Sequence, residues 1–258
     1  MPQEPVKKPI EENAHHLMEE ARQEVARSRS PWYYVLRRTQ VLSLIYITVF
    51  ALFTLLAWFV SIHPVLAIDV VITQEFQENS APWLRISMLA VSYLGSQFII
   101  FTALIALTAL LFWLVKLRLE ALLIVSLSIV SSLLNWLIKL IVARPRPTAP
   151  LIEIIQAASG PSFPSGHVMS YVAFWGLLFS LGLILFKRDR WWHYTLLIIS
   201  ALFVVLVGPS RIYLGDHWAS DVLGGYLFGG LLLGISLRIY LMLKERGVLQ
   251  SNDGKSTP

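Results

Sequence analysis

At 258 residues, 56% of them hydrophobic and 14% charged, the chain carries about half the charge density of a soluble domain. Its mean hydropathy of +0.64 is concentrated in long uncharged runs, which excludes both a soluble globular fold and a disordered chain. The absence of cysteine excludes disulfides, thiol chemistry and zinc–thiolate sites, and the net charge of +5 is distributed along a membrane topology rather than over a nucleic-acid-binding face.

Residues 1–40 read as a cytoplasmic tail ending in an interfacial anchor. Acidic and polar residues fill its first part, unlike a cleavable signal peptide. Leu17, Met18, Ala21 and Val25 recur at roughly helical spacing, which suits either a charged amphipathic helix or a solvated tail. Trp32, Tyr33 and Tyr34 beside Arg37 and Arg38 have the composition of a membrane-surface anchor.

Residues 41–243 form the expected membrane domain. Apolar runs at 41–62, 86–115, 121–138, 168–186, 194–210 and 222–237, the last continuing past Arg238, each approach or exceed the ~20 helical residues that cross a bilayer. None alternates polar with apolar as barrel strands do. The predicted fold is therefore all-α, a polytopic bundle of six transmembrane helices. The second run is too long for one upright helix. Either Gly95 divides a surface-lying piece near 82–94 from the span, or the helix is strongly tilted. Trp191, Trp192 and Tyr240 are expected to extend the short fifth and sixth runs to the interface. Between the first two spans, Ile68, Val71, Ile72 and Phe76 share one helical face while Asp69, Gln74, Glu75 and Glu78 are polar. That stretch suits a lid on the membrane surface or a simple cover for the bundle. Residues 244–258 read as a cytoplasmic tail, disordered in its last dozen positions.

Alternate loops place 16 of the 21 basic residues on one side, so both termini are predicted to be cytoplasmic. The other side has only Arg85, Lys139, Arg144, Arg146 and Arg211. Four of these belong to or adjoin three polar clusters at the ends of the third to sixth spans. Ionisable groups in a membrane protein are costly, by about 2.5–3.5 kcal/mol or more at mid-depth, and so mark a site by default.

The first cluster runs from Lys139 to Pro147, and Lys139 and Arg146 there can reach a shared anion. Pro145 and Pro147 end the helix. A plain basic patch is the alternative, although outward cations run against the topology rule. In the second cluster, Pro164-Ser165-Gly166-His167, Ser165 is a candidate N-cap. Gly166 admits a ligand close to the helix-start amides, and His167 can donate a proton. A capped helix with an interfacial histidine explains the same residues.

The third cluster follows Gly208-Pro209, which is expected to end the fifth span, and runs from Ser210 to Asp221. If the sixth helix starts near His217, Asp221 lies one turn on and can hold the His217 Nδ1 proton, leaving Nε2 free to attack. Structural His–Asp pairs look the same from sequence. Arg211 adds a planar donor suited to phosphate oxygens. Converging, the three clusters would gather cations, helix-start amides, two histidines and one aspartate, with no carboxylate cluster for a divalent metal.

Lys139-x6-Arg146-Pro147, Pro164-Ser165-Gly166-His167 and Ser210-Arg211-x5-His217-x3-Asp221 together resemble the three-part signature of the type 2 phosphatidic acid phosphatase superfamily. The resemblance departs at no signature position and leaves the first forty residues outside. It implies a two-step phosphohydrolase without cofactor or metal. By similarity, His217 forms a phosphohistidine, Asp221 polarises it and His167 protonates the leaving oxygen. Lys139, Arg146, Arg211, Ser165 and the Gly166 amide hold the phosphate oxygens. Arg144 is outside the signature, and Ser210 can serve packing as well as phosphate. The expected partner is a membrane lipid, with undecaprenyl pyrophosphate ahead of phosphatidylglycerol phosphate or phosphatidic acid, hydrolysed at the outer face of the cytoplasmic membrane. Phosphoryl transfer to another acceptor is the alternative chemistry. A non-enzymatic lipid transporter has no use for the His217–Asp221 pair, and the soluble haloperoxidases sharing this signature lack six apolar spans.

Overall fold

A computed structural model describes residues 39–186, 191–246, 248 and 249; the readings of the N-terminal anchor and of the last residues of the C-terminal tail fall outside them. The chain divides into a short unit ending at Ile45 and a unit from Tyr46 onward, and the second carries the polar clusters.

All described secondary structure is helical: α1 (Thr39–Ile62), α2 (Ala67–Glu78), α3 (Pro82–Ser96), α4 (Phe98–Leu114), α5 (Arg118–Val142), α6 (Gly166–Tyr171), α7 (Leu177–Leu185), α8 (Trp191–Tyr213) and α9 (Ala219–Glu245). One π-helical stretch, Val172–Gly176, joins α6 to α7 as a single span. By length and hydropathy, α1, α5, α6–α7, α8 and α9 are five spans. The pair α3 and α4, bent by 71° at their junction, brings the number to six if it is counted as one broken span. The predicted break in the second run is real, but its hinge is Gln97, whose ψ of 89° is non-helical, rather than Gly95. The Gly95 N–H donates to the Tyr171 hydroxyl at 3.0 Å, and that hydroxyl donates to the Val91 carbonyl at 2.6 Å. The end of α3 is thus pinned beside α6.

The exterior is apolar because lipid is its solvent: Phe98, Ile99 and Ile141 are each about 80% exposed. The central span is α6–α7, with 67% of its apolar window buried against 33% or less in the other four. Apolar surface gives no net drive for association within lipid, so close packing must hold the helices together. Trp175 stacks on Phe203 with ring centroids 4.6 Å apart, and Phe101 lies 5.7 Å from Tyr171. On α9, a Cβ at Gly224 would come within 2.5 Å of the Phe163 ring, and one at Gly225 within 2.9 Å of Val168. These two glycines let the segment around Ser165 lie directly on α9.

Two expectations are corrected here. Pro209 does not end α8, which continues to Tyr213 and carries Ser210 and Arg211 on its last turn. The Tyr226 hydroxyl explains this, because it enters the interrupted helical ladder. It accepts the Gly208 N–H at 3.1 Å and donates toward the Val204 and Val205 carbonyls at 2.6 and 3.3 Å. The Val205 carbonyl is the acceptor that a proline at 209 leaves without its N–H. Tyr240 is likewise no interfacial belt residue. It is fully buried and donates to Glu120 at 2.7 Å, with Lys244 3.0 Å from the same carboxylate. Trp191 does stand exposed.

Candidate active site

The three clusters meet at one end of the bundle. α5 ends at Val142, where Ala143 takes a left-handed conformation with φ of 49°. Lys139 stands on the last turn of α5, and the chain then crosses the site as an extended loop. Its Nζ donates to the Ser162 carbonyl at 3.1 Å and to that of Pro161. Arg146, farther along the loop, donates to the Gly160 carbonyl at 3.1 Å and the Asp216 carbonyl at 2.7 Å. The two cations therefore flank the segment that leads into α6.

Ser165 occupies the N-cap position of α6 but makes no capping bond with its side chain. Its backbone N–H donates to the Asp221 carbonyl at 3.0 Å, while its buried Oγ has no partner among the described residues. The expected cap is thus replaced by a hydroxyl left available within the site. Gly166 opens α6 against Asn135, whose side-chain amide donates to the Pro164 carbonyl at 3.2 Å. His167 follows in the first turn, its Nε2 3.1 Å from Ser96 Oγ at the end of α3.

His217 does not lie on α9. That helix starts at Ala219 with Trp218 as its N-cap, and His217 stands in the tight loop before it. The loop folds back on α8: the Asp216 and His217 N–H groups donate to the Arg211 carbonyl at 3.2 and 3.3 Å. Gly215 permits this turn, with φ of +71° and the Glu153 carbonyl only 2.3 Å from where a Cβ would sit. The predicted histidine–carboxylate pairing survives the change of element. His217 Nδ1 is 3.4 Å from Asp221 Oδ2 and 3.4 Å from Ser162 Oγ. Ser162 itself donates to Asp221 Oδ2. Asp221, at the third position of α9, also accepts the Trp218 N–H at 2.9 Å.

With acceptors beside Nδ1, the ring carries its proton there and leaves Nε2 as the bare nitrogen. Nε2 lies 3.3 Å from Arg146 Nη1. Burial, followed by the Arg146, Lys139 and Arg211 charges, holds the His217 pKa well below its ordinary 6.5. The imidazole is therefore neutral, the form a nucleophile needs. Arg211, buried on the last turn of α8, donates to Ser92 and pairs with Asp216. The Ser210 Oγ bonds the Val207 carbonyl of its own helix at 2.8 Å, which makes its role packing.

Lys139, Arg146, Ser165, Gly166, His167, Arg211, His217 and Asp221 thus converge as the spacing implied. Several neighbours were not legible as site residues. Ser162 bridges toward His217, Ser92, Ser96 and Gln156 connect Arg211 to His167, and Asp216 faces two of the cations. A polar residue buried within an apolar segment is the one signal that marks Ser92 and Ser96 in sequence.

Asp69 is the largest departure. The amphipathic pattern counted it with the polar residues Gln74, Glu75 and Glu78, yet it is 1% exposed while Ile68 and Val71 on the same helix are 60% and 48% exposed. Asp69 alone of these four turns inward, where it accepts Arg144 Nη2 at 2.8 Å, while Gln74, Glu75 and Glu78 stay exposed. Arg144, itself 1% exposed, reaches Asp221 Oδ1 through Nη1 at 2.6 Å. It is a buried counter-ion and not a rim cation.

Residues 119–245 match the family model described as the PAP2 superfamily. Phosphatidylglycerophosphatase B of Bacillus subtilis is 31% identical over 189 residues, 72% of this chain and 90% of that protein. The chain belongs to the PAP2 superfamily. An undecaprenyl-diphosphatase of Sulfolobus acidocaldarius is 38% identical over 79 residues, 30% of this chain and 33% of that one. The crystal structure of a transmembrane PAP2 type phosphatidylglycerolphosphate phosphatase from Bacillus subtilis superposes with a TM-score of 0.60 at 27% identity. It covers 78% of this chain and 96% of that one. This PAP2 protein is accordingly a multi-pass membrane enzyme of the lipid phosphatase class.

Proposed function

We propose that the chain hydrolyses a lipid pyrophosphate, with undecaprenyl pyrophosphate as its first substrate, through a phosphohistidine at His217 and without a metal ion. The observation that carries this reading is the bare Nε2 of His217, set among Arg146, Lys139 and Arg211 and backed by Asp221. In the first step Nε2 attacks phosphorus and the bond to the leaving oxygen breaks. His167 gives that oxygen a proton at the place Ser96 Oγ now holds. In the second step His167 takes a proton from water, which attacks the phosphohistidine and releases phosphate. Lys139, Arg146, Arg211, Ser165 Oγ and the Gly166 amide bind the phosphoryl oxygens, supplying the charge stabilisation such a transfer requires.

Two relatives at 38% identity over short stretches, from Sulfolobus acidocaldarius and Escherichia coli, carry the name undecaprenyl-diphosphatase, one of them as putative, and support the isoprenoid substrate. The longer match to phosphatidylglycerophosphatase B supports a second reading, phosphatidylglycerol phosphate. Phosphate release by purified protein over a panel of undecaprenyl pyrophosphate, phosphatidylglycerol phosphate and phosphatidic acid decides between them. The expected result is the highest kcat/KM on the isoprenoid. A preference for either phospholipid moves the assignment to the second reading.

The asymmetry of basic residues supports a position for this pocket on the outer face of the cytoplasmic membrane, with a site domain at 41–243 between two cytoplasmic tails. A tag inserted at 149–160 should react with an impermeant reagent on intact cells or spheroplasts. Reaction only after lysis reverses the orientation.

A further inference from the structure

The network behind Asp221 reaches a residue that the signature does not include. Asp69, on α2, lies 152 positions before Asp221 in sequence, and both carboxylates are essentially unexposed. Asp69 Oδ1 accepts the Ser220 N–H at 2.8 Å, and Oδ2 accepts the Ser220 hydroxyl at 2.6 Å and Arg144 Nη2 at 2.8 Å. Arg144 Nη1 is shared between Ser220 Oγ at 2.7 Å and Asp221 Oδ1 at 2.6 Å, while its Nε donates to the Pro64 carbonyl at 2.9 Å. The guanidinium is thus held on three edges and cannot swing away from Asp221.

The geometry points to Asp69 as a positioning residue for phosphoryl transfer, acting through Arg144 and Ser220 on Asp221 and from there on His217. Two consequences follow from the bonding pattern. First, Asp69 occupies Nη2, so the Arg144 fork cannot close on both oxygens of Asp221. Arg144 binds Oδ1 alone, and Oδ2 is left to Ser162, the Trp218 N–H and His217 Nδ1. Second, two carboxylates share one guanidinium, leaving one negative charge beside an imidazole that must become cationic on phosphorylation. Without Asp69 the pair Arg144–Asp221 is neutral and bidentate. Asp221 then turns away from His217, and the forming phosphohistidine loses its counter-charge.

α2 is accordingly part of the catalytic scaffold rather than only a cover. Asp69 and Ser220 bind its first turn to the start of α9, and Gln77 Nε2 fastens its other end to the Glu153 and Tyr213 carbonyls at 2.8 and 2.9 Å. The segment between the first two spans therefore sets the geometry of the nucleophile from outside the three signature clusters.

This inference rests on the phosphatase reading, and the experiment separates the two. Wild type, Asp69→Asn and His217→Ala are compared in detergent for lipid-phosphate release, for competition by inorganic phosphate and for thermal melting. The expected result for Asp69→Asn is a fall in kcat of about 10- to 100-fold, with KM and the inorganic phosphate Ki within about twofold of wild type. A wild-type kcat in Asp69→Asn, with wild type active and His217→Ala dead, overturns the role of Asp69 and leaves the phosphatase intact. Wild type inactive on every lipid phosphate overturns the phosphatase reading itself. If Asp69→Asn does not fold, Ser220→Ala decides. It removes one bond to each of Asp69 and Arg144 and is expected to lower kcat by about threefold at unchanged KM. Unchanged kcat there, or a rise in KM alone, overturns the proposal.

Discussion

His217→Ala is expected to abolish lipid-phosphate release, lowering kcat by at least about 10⁴-fold while the protein stays folded and membrane-inserted. The size of the effect follows from the role. If the histidine is the atom to which phosphorus transfers, its removal deletes the covalent path and leaves only the electrostatics of the pocket. His167→Ala should be less severe on a pyrophosphate, whose leaving group is a lipid phosphate that departs without a proton more readily than an alcohol does. His217 is 2% exposed, so its truncation is also expected to lower the melting temperature, and turnover is compared at a temperature where the variant remains folded. Residual turnover within tenfold of wild type contradicts the nucleophile assignment.

The second large effect is on stability. Arg144→Met retains the volume of the side chain but leaves Asp69 and Asp221 buried without their shared cation. Removing one partner from a buried ionic group costs about 3–5 kcal/mol, because the partner left behind must stay desolvated and unpaired. The expected outcome is a clear drop in the detergent melting temperature, partly reversed when Asp69→Asn and Asp221→Asn are added to the same chain. Both additions remove the repulsion that the first change creates. An unchanged melting temperature in the single variant contradicts the buried-network account, and so does the absence of any recovery in the combined one.

Much of the membrane architecture could be read from the sequence because length and hydropathy carry it directly. A bilayer demands about twenty apolar residues per helix, and the runs supply them. The signature residues were equally legible. Ser165-Gly166-His167 opens a helix as its composition implied, whereas α9 starts two residues after His217, so Asp221 stands in its first turn rather than one turn on from a helical histidine. The errors came where one side chain alters another's local rule. Pro209 would end α8 but for the Tyr226 hydroxyl on α9. Asp69 would face water but for Arg144 and Ser220, partners 75 and 151 positions away. Amphipathic patterning sorts residues by polarity and takes no account of a buried ionic partner, so Asp69 was grouped with Gln74, Glu75 and Glu78, which do stay exposed. Ser162, Ser92 and Ser96 were passed over for a similar reason. A small hydroxyl residue in a membrane helix bonds its own backbone as often as a site, and only the folded structure shows which.

The central claim is that fixed cations and two histidines do the chemistry, with His217 as nucleophile. Its most direct test is phosphate release from a purified lipid pyrophosphate in excess EDTA, measured in parallel for wild type and His217→Ala. The account predicts an undiminished wild-type rate and no detectable release from the variant. Loss of the wild-type rate on chelation, restored by adding a divalent cation, or release by His217→Ala, would contradict it.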